Sequence, residues 1–261
     1  IDKRELTNLK TSNEKILKIG FISGDFRYHP VTFFLLDTLK NLKKKNIKIF
    51  AYSNNVFEDS TTKLIKKYFD NWISVINKSD KDLINLNDEN GKPISEGMIS
   101  NMKNILKSIN LTKEIANDLV YFVEDDYIHQ KEAITEMLFT YEKISSQLSR
   151  EIFLCPADYP YLYSKADDAK IFIGNQRHWR TVKETLITFL TSKKMILDYF
   201  EEFKSMSTLR QHPMEKKLHE IYEKEYCLSP IPSLAMHSTN INSAYGIPPN
   251  YEWVKNWEDN K

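Results

Sequence analysis

The stretch "DLVYFVEDDYIH", residues 118–129, carries the reading of the fold. An uninterrupted apolar run, Leu119 to Val123, ends in three adjacent carboxylates, Glu124, Asp125 and Asp126. A short run with no polar alternation reads as a strand covered on both faces, as in a parallel sheet flanked by helices. Neighbouring carboxylates repel one another and resist burial. The strand must therefore deliver them to the rim of the sheet, where solvent or a cation offsets their charge.

Upstream of this stretch the chain alternates between strand and helix. Residues 16–23, "ILKIGFIS", are β-branched and aromatic and end at Gly24-Asp25, which reads as a first strand. Pro30 opens a helix, with Leu35, Leu36, Leu39 and Leu42 on its apolar face and Lys43 to Lys45 in its last turn. Ile47–Tyr52 reads as a second strand, residues 60–69 as a helix, and Trp72–Ile76 as a third strand. Residues 77–97 are loop-like. A helix over 98–116 then leads into Leu119–Val123 as a fourth strand. Four such alternations predict an α/β fold with a mostly parallel sheet and helices on both faces, an order that resembles a nucleotide-binding fold. In such sheets ligands bind beyond the carboxyl ends of the strands, where Glu124 to Asp126 lie.

The second half has a different grain and reads as a mixed region. A helix is expected over 131–146, extended pieces over 152–156, 161–164, 170–174 and 184–191, and helices over 193–204 and 213–225. The expected organisation is a lead-in over 1–15, an α/β half over 16–126, a mixed half of the same domain over 127–240, and an irregular, Pro- and Asn-rich tail over 241–261.

Composition narrows the class. With 41% hydrophobic, 28% charged and 12% aromatic residues, 261 residues suffice for a sizeable core. Lys and Arg number 37 against 36 Asp and Glu, so no overall field recruits nucleic acid or an anionic membrane. Cys155 and Cys227 have neither disulfide-framework nor metal-site spacing, which favours a reducing compartment. No apolar run reaches the ~20 residues of a membrane span. A cytoplasmic location, or a peripheral one at the inner face of the membrane, is expected. The chain opens on Ile1, as a piece of a longer protein would.

Adjacent acids after a strand suit a hard divalent cation, Mn²⁺ or Mg²⁺, whose shell a diphosphate completes. The ion would neutralise charge developing on a leaving nucleoside diphosphate. "VYFVEDDYIH" resembles the metal-binding DxD-type motif of glycosyltransferases with the GT-A fold, especially those similar to family 2. "ENGKPISEGMISNMKNIL" is similar to the family stretch in which a Gly and an Asn open the preceding helix, matching Gly97 and Asn101. "YSNNVFEDST" stands where these enzymes carry an acidic loop touching the donor nucleoside. Asn54 and Asn55 replace the usual Asp pair there, with Glu58 and Asp59 further on.

This resemblance implies a metal-dependent transferase that moves a hexosyl or N-acetylhexosaminyl group from a nucleotide-sugar donor to a hydroxyl on a glycan, a lipid-linked acceptor or a protein, as in polysaccharide biosynthesis. Its implied metal ligands are Asp126, Glu124, Asp125 and His237, the last in "AMHST". Its implied donor contacts are Ser23, Asn54, Asp59 and Asn101. His178, Trp179 and Arg180 would form a sugar platform and phosphate contact. Glu215, in "QHPMEKKLHEIY", would be the general base of an inverting reaction.

A second, local resemblance points to the same chemistry on another architecture. "LKIGFISGDFRYHPVTFFL" is similar to the start of the catalytic region of the O-linked N-acetylglucosamine transferase (SPINDLY-like) family, through Ser23, Asp25, Phe26, His29 and Pro30, and residues to about 76 continue it. That family has the GT-B fold. A GT-B fragment in which His29 matters, or an inactive sugar- or protein-binding module, are therefore the alternatives.

Overall fold

The computed structural model describes residues 17–23, 25–43, 47–53, 57–74, 96–124, 126–164, 166–207 and 215–259. It is an α/β fold with a parallel sheet and a mixed sheet flanked by helices. The parallel sheet comprises β1 (Leu17–Ser23), β2 (Ile47–Ser53) and β3 (Asn71–Ser74), linked through helices α1 (Pro30–Lys43) and α2 (Ser60–Lys66). β1 and β2 are in register from Leu17↔Ile47 to Ser23↔Ser53. Alternation along β1 sends Ile19 and Phe21 into the core, against Ile49 and Ala51 of β2 and Leu39 and Leu42 of α1. Asp70 ties the layer together, accepting from the Ile49 N–H (2.7 Å) and from Lys43 Nζ (2.5 Å).

Helix α3 (Glu96–Ile115) leads into β4 (Leu119–Phe122). The expected fourth parallel strand does not form. β4 lies alongside β1 but pairs antiparallel with β9 (Phe189–Ser192) in a six-stranded mixed sheet of order β4-β9-β6-β10-β8-β7. The other members are β6 (Phe153–Leu154), β7 (Ile171–Ile173), β8 (His178–Val182) and β10 (Cys227–Ile231). β4 is half-buried rather than covered on both faces. Apolar content alone does not distinguish a parallel from an antiparallel partner, and that choice was made by residues about 70 positions downstream.

A two-stranded ladder joins β5 (Tyr127–His129) to β11 (Ala235–His237). Helix α4 (Ala133–Leu148) inserts Met137, Tyr141 and Ile144 into one core that also takes Ile19, Phe21, Leu154, Trp179 and Leu228, so both larger sheets share it. α4 stops at Ser149, in the left-handed region at φ 52°. Short helices α5 (Lys193–Asp198), α6 (Phe200–Ser205) and α7 (Lys216–Tyr222) frame a second core around Phe153, Phe189 and Phe203.

Two further expectations change. Residues 160–163 form a 3-10 turn begun by Pro160, not an extended piece. The expected irregular tail holds helix α8 (Trp253–Asp259). β10 was masked in the sequence by Pro230, which cannot donate to a ladder. Its pairing with β6 ends at Leu228, so Pro230 has no β6 neighbour there to satisfy. Among the described residues, no helix is long and apolar enough to cross a membrane.

Candidate functional site

The carboxylates after β4 meet side chains from three other elements. Because β4 and β9 run antiparallel with Phe122 opposite Phe189, the residues after one strand face those before the other. The Glu124 N–H donates to Thr188 Oγ1 (2.9 Å), and that hydroxyl donates to Glu124 Oε2 (3.2 Å). The β5–β11 ladder ends at Tyr127↔His237, which places the residue before one strand beside the end of the other. Ser238 then donates to the Asp126 carbonyl through its N–H (2.7 Å) and its hydroxyl (2.6 Å). This fixes Asp126 Oδ2 at 2.7 Å from His237 Nε2.

The electrostatics are unbalanced. Burial, then the neighbouring charge of Asp126, pushes the Glu124 carboxyl up to about 7. Glu215, at the start of α7, adds to the same effect. Burial alone would also raise Asp126, but hydrogen bonds from His237 and Thr239 and the imidazolium charge hold it below the usual carboxylate range. Burial works against protonated His237 too, and the Asp126 hydrogen bond and charge outweigh it and raise its pKa. His237 Nδ1 is buried with no hydrogen bond of good geometry among the described residues, in the field of the Tyr245 carbonyl.

Asp126 and His237 are thus brought together from distant places in the chain, with Glu124 beside them, and Glu215 acts on Glu124 as a further charge. The remaining predicted residues fare differently. Asp125 and Asn54 lie outside the described residues, as does the side chain of Asn101, whose backbone belongs to α3. Ser23 Oγ accepts the Asp25 N–H (2.9 Å) at the end of β1. Asp59 is the N-cap of α2: one carboxylate oxygen takes the Thr62 N–H (2.8 Å) and the other the Tyr28 N–H (2.6 Å). Both of its oxygens serve the backbone, which explains the residue without a nucleoside.

His178, Trp179 and Arg180 do not act as one platform, because successive strand residues face opposite sides. Trp179 is fully buried and its indole N–H donates to Glu136 (3.3 Å), so neither ring face is open to a sugar. Arg180 is committed to the buried Asp158, under the Tyr163 ring. His178 is exposed, opposite Ile231.

Sequence reasoning missed Thr188 and Ser238, which carry no signal beyond being hydroxyl residues. It also missed an aromatic series leading away from the acids. The His237 and Tyr127 rings lie 5.2 Å apart, Tyr127 and Tyr159 share a hydroxyl hydrogen bond, and Tyr159 and Tyr245 are again 5.2 Å apart. The Tyr- and Pro-rich stretch 157–163, "ADYPYLY", was the available signal.

A carboxylate oxygen and an imidazole nitrogen, donor types that divalent cations accept, are juxtaposed in Asp126 and His237, and the His237 charge offsets the ionisation of Glu124 only in part. Among the described residues, no three His, Cys, Asp or Glu side chains converge as a ligand set. Metal sites that act on phosphates need only one or two protein carboxylates, since the substrate supplies the other oxygens.

No protein-family model matches this chain, and no curated protein matches it. Among solved structures it is similar to a mutant of the Thermobaculum terrenum O-GlcNAc transferase, with 32% sequence identity and a TM-score of 0.22. The similarity covers 23% of this chain and 12% of that one.

Proposed function

We propose that the chain is a glycosyltransferase that moves a sugar from a nucleoside-diphosphate donor to a hydroxyl acceptor. The observation that carries the reading is the contact of Asp126 with His237 where β11 returns beside the turn after β4, with Glu124 next to them, so that one imidazole faces two carboxyl groups. Asp126 and His237, with Glu124 beside them, would hold Mn²⁺ or Mg²⁺. When bound, the ion supplies positive charge to the leaving diphosphate.

The chain's own groups do the rest. Thr188 and Ser238 hold the carboxylate-bearing turn in place through Glu124 and the Asp126 carbonyl. Glu215 lies close enough to influence Glu124 and Tyr245 and is the base that takes the acceptor's hydroxyl proton. The bond from the anomeric carbon to the diphosphate oxygen breaks as its bond to the acceptor oxygen forms. The proton goes to Glu215 and the electron pair leaves with the diphosphate.

Calorimetric titration with UDP and GDP, with and without Mn²⁺, tests this reading. Mn²⁺-dependent binding that Asp126→Ala abolishes is the expected result. Binding indifferent to metal and to Asp126→Ala, but lost in His29→Ala, would overturn it in favour of a GT-B fragment.

A further inference from the structure

We propose that Tyr161 and Tyr245, rimmed by Glu184 and Glu215, form the acceptor subsite and that its ligand is an uncharged carbohydrate ring. This rests on the glycosyl-transfer reading and narrows its acceptor to a neutral glycan.

The two tyrosines end the aromatic series that starts at His237. Their rings are 5.2 Å apart and inclined by 50°, and both residues are half-buried, unlike Tyr159 behind them. They are held rigidly. The Tyr161 N–H donates to the Ala244 carbonyl (2.9 Å), and the Tyr161 hydroxyl to the Glu184 carbonyl. The segment that bears Tyr245 is closed on itself by the Gly246 N–H to Ser243 (3.0 Å) and the Ile247 N–H to Ile241 (2.9 Å). Gly246 makes that closure possible, because a Cβ there would stand 2.1 Å from the Ile241 carbonyl oxygen. The other end of the segment is pinned at Ser238 to Asp126, so the tyrosines are fixed relative to the reacting centre.

Aromatic faces beside carboxylates suit a sugar, which presents C–H faces to rings and hydroxyls to acceptors. The hydrogen bond from the Tyr161 hydroxyl to the Glu184 carbonyl puts Glu184 at the edge of the pair, and the charges of Glu184 and Glu215 both raise the pKa of the Tyr245 hydroxyl. With the charges of Glu184 and Glu215 acting on it, the subsite repels phosphate- or carboxylate-bearing acceptors. The same placement brings a bound sugar hydroxyl towards Glu215, the proposed base.

Saturation-transfer NMR with methyl glycosides of glucose, galactose, mannose and N-acetylglucosamine, and with lactose, maltose and chitobiose, tests the subsite in wild type, Tyr245→Ala and Tyr245→Phe. UDP and GDP are titrated in parallel with Mn²⁺. The expected result is transfer to at least one saccharide, weakened about tenfold or more in Tyr245→Ala and kept in Tyr245→Phe, with nucleotide affinity unchanged. Near-native circular dichroism of Tyr245→Ala checks that it folds. Should that variant not fold, Glu215→Gln replaces it, with weakened saccharide transfer expected. Saccharide binding that depends on Tyr245 in a protein that ignores both nucleotides would uphold the subsite while removing the donor reading. Saccharide binding that ignores both Tyr245 and Glu215 overturns the subsite. Transfer to none of the saccharides overturns it too, and if nucleotide still binds, the glycosyl-transfer reading survives.

Discussion

Acidic residues end strands or open helices in both halves of the molecule, with opposite consequences. Around β1 and β2, Asp25 pairs with Arg27 (2.8 Å) near solvent, and Asp59 is consumed by the Thr62 and Tyr28 amides, which hold its carboxyl below the usual range. Around β4 and β6, Glu124 is half-buried and Asp158 buried. Glu124 is pushed up to about 7, and Asp158 is raised by burial despite Arg180 beside it. A carboxylate given backbone amides stabilises the fold, whereas one held in a crowded, dry rim costs stability and has charge to offer a ligand.

That contrast can be broken most directly at the two ion pairs. Asp158→Ala leaves Arg180, 13% exposed, without its counter-charge and should cost roughly 3–5 kcal/mol in urea unfolding. Asp25→Ala at the exposed pair should cost under about 1 kcal/mol. Equal losses would erase the distinction.

Acid titration gives the next effect. Burial pushes His129 down to about 4, where the Tyr121 hydroxyl meets its Nε2 at 2.5 Å. The unfolded chain binds the proton first, so stability is full above about pH 6.5 and falls as pH drops towards 4. The loss is on the order of 3 kcal/mol at most, and a His129→Gln variant should lack it.

Glu124 and Asp59 should then differ in sign. The native state keeps the Glu124 proton that the unfolded chain releases from about pH 4.5, so stability declines as pH rises towards about 7. Glu124→Gln should therefore gain on the order of 2 kcal/mol above pH 7 and nothing below 4.5. Asp59→Ala should instead lower Tm slightly at neutral pH through loss of the α2 cap, with Mn²⁺-dependent nucleotide binding intact. A destabilised Glu124→Gln would mean that this rim is as self-satisfied as the other.

Much of the first half was legible. Pro30 and the leucine spacing mark α1, and β-branched runs mark β1 and β2, because both signals are local to the element that they define. Glu124 and Asp126 stood out for the same reason, as charge abutting an apolar run. His237 and Glu215 were also named, but from resemblance to a family and not from any local pattern around them. Trp179 was misplaced because an aromatic beside an arginine looks alike in sequence whether the strand buries it or exposes it.

By itself the sequence determined the α/β alternation, the helix starts and a strand ending in acids, since each follows from the chemistry of a few adjacent residues. Only the tertiary structure decided that β4 would pair antiparallel with β9, that β11 would return His237 to 2.7 Å from Asp126, and that burial would hold Glu124 near neutrality. Strand pairing and desolvation are set by partners that lie from about 60 to more than 100 residues away. Residues that distant leave no imprint on the local pattern from which a sequence is read.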